Sequence, residues 1–533
     1  MAGVKKNSMD KWLALFVVII GTFMAILDSS IVNIAVPKLM AVFGVSLDDV
    51  KWVLTAYTLA LGAIIPLTGF LGDTLGTKKL YMAALAMFTL GSLLCGLAWN
   101  NSSMVAFRVV QALGGGMIMP VGMAIIYQTF PIEERGMALG FWGISAMAAP
   151  AIGPTLGGYI IENLDWRIIF TINVPIGIVG VILAGILLKE SPTKKIKQFD
   201  YIGFISSTVG IVSLLYVMGE GTTIDWSDVK NPLLIALGTM SLLLFVVNEL
   251  TCESPLLDLK VLKIFEFTMS QTISLVLTFA LMGGVYVIPL FLQNVRGYTP
   301  LDTGIILFPS AIAMGIMMPI SGALFDRFGI KPVVLPGMII LGITSYQLVH
   351  MIELDSSKES ITLMLTLRGL GLGLAMMPLS TAGMNVVPKE LVGNASALQN
   401  TIRQIAGALS VTLMTTLIQN RFNYSYSHMS EQITASNNAA MGYMSGLQSG
   451  FVQGGMTGAE AQGAGLSFIT GIVQKTAYLD AMKYAIAMSV IAIIISGAGV
   501  LLMGRKDNHG AKDKFKSQLD EKLNEKPEPL PAD

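Results

Sequence analysis

The amino-acid sequence predicts an all-α membrane protein: two six-helix bundles with two further spanning helices inserted between them. Three observations predict it. The 533 residues are 53% hydrophobic and only 13% charged, with mean hydropathy +0.68, whereas soluble domains carry about 25% charged residues. Apolar runs of about 20 residues recur along almost the whole length, each long enough to cross a hydrocarbon core about 30 Å thick. The pattern of the first half also returns in the second. Transmembrane strands need only about ten residues and alternate in polarity, so runs of this length are helices.

Fourteen spans are read in order, at about 12–34, 50–71, 80–99, 103–128, 137–160, 168–188, 201–219, 232–250, 267–292, 302–324, 332–352, 361–384, 394–418 and 478–503. Lys5, Lys6 and Lys11 precede the first run, as in a secretory signal, but that run is longer than a signal's apolar region and reads as an uncleaved span. Basic residues set the orientation. Lys78 and Lys79, Lys189 with Lys194, Lys195 and Lys197, Lys260 and Lys263, and Arg327 and Lys331 fall in alternate loops. The tail adds Arg505, Lys506, Lys512, Lys514, Lys516, Lys522 and Lys526. The opposite loops hold Glu220, Asp225 and Asp228, and Glu353, Asp355 and Glu359. Both termini are expected in the cytosol, with the protein in the plasma membrane. The expected divisions are 1–190, a first bundle; 191–265, a linker with two inserted helices; 266–503, a second bundle with a long extracytosolic loop at 419–477; and 504–533, a charged, solvated tail. The 419–477 stretch is rich in Gly, Met, Ser and Gln, and a hairpin, amphipathic pieces or an irregular chain all fit it.

The repeat is explicit. Gly69-Phe70-Leu71-Gly72-Asp73-Thr74-Leu75-Gly76-Thr77-Lys78 returns as Gly322-Ala323-Leu324-Phe325-Asp326-Arg327-Phe328-Gly329-Ile330-Lys331. The stretch from Pro131 to Ala138 returns from Pro388 to Ala395, and Arg108 returns as Arg368. The offsets of 253, 257 and 260 are one register with small indels. Two copies in the same orientation imply halves related by an axis along the membrane normal, with a substrate cavity at their interface.

Within the apolar spans the informative residue is Asp28, in the string Leu27-Asp28-Ser29-Ser30-Ile31-Val32-Asn33-Ile34-Ala35-Val36-Pro37. A carboxylate at bilayer depth costs about 2.5–3.5 kcal/mol on insertion scales, so it needs a wet cavity or a partner. Arg108, in Arg108-Val109-Val110-Gln111-Ala112-Leu113-Gly114, lies at similar depth in the antiparallel span 4, so an Asp28–Arg108 linkage is geometrically open. A coupling acid and a purely structural carboxylate are both consistent with this pattern. So are a cavity-facing Arg108 and one that snorkels to the interface. Gly153-Pro154-Thr155-Leu156-Gly157-Gly158 places a helix-kinking proline among glycines that permit close packing. In span 13, Gln399, Asn400, Arg403 and Gln404 spread over more than one helix face, suited to substrate contact or to helix-to-helix hydrogen bonds.

Together these strings resemble the major facilitator superfamily, and within it the fourteen-helix drug:proton antiporters of the EmrB/QacA type, over about residues 10–505. Ser30 departs from that family's Thr, Ala112 from its usual Gly, and Thr74 and Thr77 from its basic loop residues. The resemblance implies a major facilitator fold and proton coupling through Asp28 and Arg108. It also implies conformational motifs at Gly69, Asp73, Gly76 and Lys78, at Gly153, Pro154, Gly157 and Gly158, and at Asp326, Arg327 and Gly329. Asn33, Gln111, Asn400 and Arg403 are candidate cavity residues.

The implied activity is proton-coupled efflux of lipophilic monocationic or neutral drugs by alternating access. Its partners would be small lipophilic substrates, protons and the lipid bilayer, with no nucleic acid, no metal and no cofactor beyond the coupling proton. The sequence names no adaptor protein. Export or flipping of a lipid, glycolipid or peptide on the same fold is the alternative, with 419–477 guiding the substrate. No phosphate-binding Gly-x-x-x-x-Gly-Lys-Ser/Thr loop and no nucleophile–base or metal-ligand constellation is visible, so no enzyme is expected.

Overall fold

The computed structural model describes residues 2–193, 199–221, 228–252, 254–433 and 437–504. Lys194, Lys195, Lys197, Asp225 and the tail from Arg505 onward lie outside the described residues. Among the described residues, thirteen helices are long and apolar enough to span a membrane, and one bent pair makes the fourteenth span.

The first half comprises α1 (Ala2–Phe43), α2 (Leu47–Ile64), α3 (Leu67–Leu75), α4 (Thr77–Gly96), α5 (Asn101–Thr129), α6 (Arg135–Asn163), α7 (Ile168–Thr171) and α8 (Asn173–Leu187). Helices α2 and α3 are one span, bent by 55° at Ile65–Pro66, where proline has no N–H to continue the ladder. The inserted pair is α9 (Tyr201–Glu220) and α10 (Lys230–Thr251). The second half comprises α11 (Phe265–Val285), α12 (Val287–Leu290), α13 (Pro300–Phe328), α14 (Lys331–Met351), α15 (Lys358–Asn385), α16 (Val392–Glu431), α17 (Asn438–Gln453) and α18 (Gly458–Leu502). No strand occurs among the described residues.

Burial follows the membrane pattern. Leu233, Leu237, Met240, Leu243, Leu244, Val247 and Leu250 of α10 are exposed, an apolar face that lipid would cover. Helix α9 sets Leu215 and Ile211 against Gly62 of α2, and the Thr412 hydroxyl of α16 donates to the Met218 carbonyl. The insert therefore touches both halves.

Two boundaries differ from the sequence reading. Helix α1 does not stop near Ile34 but runs through Pro37 to Phe43, where Phe43 packs edge-on against Trp166. The 419–477 stretch is largely helical: α16 continues to Glu431, α17 follows, and α18 begins at Gly458. A Thr457–Glu460 capping box starts α18, and Gly455 turns the chain at φ +96°. Arg421 and Ser425 of α16 both donate to the Asp480 carboxylate of α18 at 2.6 Å. These tertiary bonds and caps support helix where composition suggested a loop.

Candidate functional site

The site is built on a close approach of α4 and α5. A Cβ at Gly91 would overlap the backbone of Gln111, and one at Gly114 would overlap the backbone of Phe88. With only hydrogen at these positions, α5 lies against α4 and carries Arg108 and Gln111 to α1.

There Asp28 is 1% exposed and Arg108 is fully buried. Arg108 Nη1 donates to Asp28 Oδ2 at 2.6 Å and to Gln111 Oε1 at 2.6 Å. Gln111 Nε2 donates to Asp28 Oδ1 at 2.8 Å and to Ser92 Oγ at 2.6 Å. Asn173 Nδ2 adds a bond to Asp28 Oδ1 at 2.9 Å. The Arg108 guanidinium also lies over the Tyr57 ring, 3.8 Å from its centroid, and Arg108 Nε donates to the Val53 carbonyl at 3.4 Å. A charge pair in this setting holds only while each partner remains hydrogen-bonded. Loss of the charge on either partner would leave the other buried without its counter-ion.

The sequence reading paired Asp28 with Arg108 and missed Asn173, Ser92 and Tyr57. Asn173 and Ser92 carry the signal that singled out Asp28, a polar side chain inside an apolar run, in weaker form. Gln111, read as a cavity residue, is fully buried inside this cluster. Asn33 is exposed and outside it. Asn400 is buried and donates to the Ser396 carbonyl at 2.8 Å and to Met123 Sδ at 3.4 Å.

The repeated loops form a second device, at the terminus-bearing end, where α1 begins and α18 ends. Asp326, at the end of α13, accepts from the backbone N–H of Gly136 and of Met137 at 3.0 Å each. A carboxylate thus sits on the N-terminus of α6, where free N–H groups favour negative charge. Gly136 and Gly322 face each other so closely that a Cβ on either would overlap the other's backbone. The matching Asp73 of α3 accepts from Asn394 Nδ2 of α16 at 3.3 Å. Arg135 joins the same seam, donating to Asn385 Oδ1 at 3.2 Å and to the Tyr127 carbonyl at 2.7 Å, and Ser396 donates to the Pro120 carbonyl at 2.7 Å. Gly76 and Gly329 turn the two loops at φ +86° and +84°, a region suited to glycine. Lys78 donates to the Gly185 carbonyl at 2.6 Å, and the Arg327 guanidinium lies 5.1 Å from the Phe328 ring centroid. A cavity of about 790 Å³ opens beside this seam, lined by Asp73, Tyr127, Gln128 and Gly393 among others. It does not reach Asp28.

Residues 153–158 lie within α6. Gly153 and Gly157 face Ser30 and Ile31 of α1, while Gly158 faces open space. Within its own half, α6 thereby packs closely on the helix that bears Asp28.

Comparison with known proteins agrees with this architecture. The pattern of the Major Facilitator Superfamily matches residues 18–411. The chain is 40% identical over 430 residues to the uncharacterized MFS-type transporter YhcA of Bacillus subtilis, covering 81% of each. It is 30% identical over 420 residues to the multidrug export protein EmrB of Haemophilus influenzae, covering 78% of this chain and 82% of that one. The human organic anion transporter MFSD10 has the same fold, with a TM-score of 0.59 at 11% identity over 92% of this chain and 99% of that chain. The chain belongs to the major facilitator superfamily of membrane transporters, among relatives of the EmrB type.

Proposed function

We propose that the chain is a proton-coupled exporter of small lipophilic compounds, working by alternating access between its two six-helix halves. One observation carries the reading: Asp28 is buried in the first half with Arg108 as its counter-ion and two amide donors beside it. An acid in this position can accept a proton only by giving up an ion pair, which ties its titration to helix movement. Lysine and arginine in alternate loops put both termini in the cytosol of the producing cell. On that orientation the Asp326 and Asp73 contacts close the cytosolic end. The cycle then runs from this state. Asp28 takes a proton from outside, the pair with Arg108 loosens, and the seam at the cytosolic end opens. The proton leaves inward as substrate is loaded for export. The name of EmrB, multidrug export protein, supports the direction of transport.

The test is export of a fluorescent drug from cells carrying wild type or Asp28→Asn, with and without a protonophore. Export by wild type that both the protonophore and the substitution remove is the expected result. Export that survives Asp28→Asn removes Asp28 from the coupling path.

A further inference from the structure

Asp28 is occupied by Arg108, Gln111 and Asn173, so the acid of the first half presents no free charge to a substrate. The free charge between the halves is of the opposite sign. Arg403 of α16 has no hydrogen bond or ion pair among the described residues, and the ionisable side chain beside it is Tyr127 of α5. It is half-buried, on the α16 face that carries Ser396 and Asn400 and meets α5 through Pro120 and Met123.

Beside it stands a buried polar atom that lacks a partner. Gln399 Oε1, one turn back on α16, has no hydrogen bond, although Gln399 is only 3% exposed. Ser380 and Thr381 of α15 lie next to the Tyr127 hydroxyl, and Ser380 accepts from Gln399 Nε2 at 2.8 Å. Buried orphans of this kind are rare in folded proteins and mark a place for water or a ligand. There is also room: one turn beyond Arg403, a Cβ at Gly407 would have nothing within 4 Å. Tyr127 also lines the cavity at the terminus-bearing end.

We propose that Arg403, Tyr127 and Ser380 form a binding site for the anionic group of an amphiphilic substrate, a carboxylate or comparable organic monoanion on an apolar body. A guanidinium with phenol and serine hydroxyl donors suits an acceptor-rich anion, and the apolar walls of α5 and α16 suit its body. The site draws on both halves, Tyr127 from the first and Arg403 and Ser380 from the second, so its occupant bridges parts that move against each other. This rests on the export reading and gives it a substrate class, in place of the monocationic or neutral drugs that the resemblance implies.

The test titrates the full-length protein in lipid nanodiscs with 11-(dansylamino)undecanoic acid, its uncharged methyl ester and the matching dansyl amine. The acid is expected to bind about tenfold or more tightly than the ester, the scale of one charge-assisted hydrogen bond. Arg403→Gln should remove that preference while leaving ester affinity unchanged, Arg403→Lys should keep part of it, and Tyr127→Phe should reduce it. Equal binding of acid and ester, tighter binding of the amine, or an unchanged preference in Arg403→Gln overturns the anion site. Proteoliposomes under a pH gradient separate the two readings. Flux of the amine or ester with no acid preference leaves export standing and overturns the anion site. Acid-selective binding that Arg403→Gln removes, with no flux of any probe, supports the anion site and overturns export.

Discussion

In the first half the buried arginine of α5 faces a carboxylate; in the second, its counterpart faces a glycine. Arg108 meets Asp28. Arg368 of α15 is also buried, donating to Ser345 Oγ at 3.2 Å and to the Ala280 carbonyl at 2.6 Å, and its guanidinium lies against Gly284 of α11. The serines correspond too: Ser92 and Ser345 are 253 residues apart. The seam shows the reverse asymmetry. The second-half Asp326 accepts two backbone N–H bonds at 3.0 Å, and among the contacts of the first-half Asp73 is a longer one from the Asn394 side-chain amide. Each half thus carries a buried arginine and a loop aspartate, set in different surroundings. On the proposed reading the first half titrates, while the second supplies the firmer latch.

The comparison breaks most directly at Asp28. Asp28→Asn leaves Arg108 buried without a counter-ion, a loss of about 3–5 kcal/mol where one partner of a buried pair is removed. A marked fall in melting temperature and loss of proton-driven transport are expected together. Adding Arg108→Gln should restore much of the stability and none of the transport, as a double-mutant cycle of melting temperature and flux would register. Transport that returns with stability would make the pair structural only.

Asp326→Asn comes next. It weakens charge-assisted bonds worth about 1.5–3 kcal/mol, so the state open at the terminus-bearing end should gain roughly 10- to 100-fold in population. Spin labels at exposed Ile132 and Lys389, with Cys95 and Cys252 replaced by serine, would report it as a longer distance. An unchanged distance distribution would show that the glycine contact between α6 and α13 holds the seam without the carboxylate.

Gly284→Ala attacks the arginine that lacks an acid. The added Cβ overlaps the Arg368 guanidinium, an overpacking that costs about 1–3 kcal/mol. Thermal unfolding should show destabilisation that Arg368→Gln relieves, with the pH dependence of transport unmoved. A shifted pH profile would bring Arg368 into the coupling path and erase the contrast between the halves.

Much of this was legible in the sequence. Each of the fourteen spans has its helix, because a run of about 20 apolar residues admits little else in a bilayer. The Asp28–Arg108 linkage was within reach because one acid and one arginine stood out at similar depth. The residues that complete it were not. Asn173 and Ser92 are common in apolar spans, and only helix rotation decides whether they point at Asp28. Gln111 went to the carboxylate rather than to a cavity for the same reason. The helical 419–477 stretch was hidden by its glycines and serines, since the Arg421–Asp480 contact that ties α16 to α18 spans 59 positions of chain.

Asp73→Asn is the smallest predicted effect and sharpens the comparison most finely. Its bond to Asn394 is 3.3 Å long and reaches a side-chain amide, whereas Asp326 holds the first N–H groups of a helix. A bond of that kind contributes about 0.5–1.5 kcal/mol, and Asn keeps an oxygen that can accept it. The Ile132–Lys389 distance should therefore move less than in Asp326→Asn. The two loops also differ in sequence: the first has Thr74 where the second has Arg327. If Asp73→Asn opened the seam as far as Asp326→Asn, the two loops would be equal latches, and the division of labour between the halves would reduce to the presence or absence of Asp28.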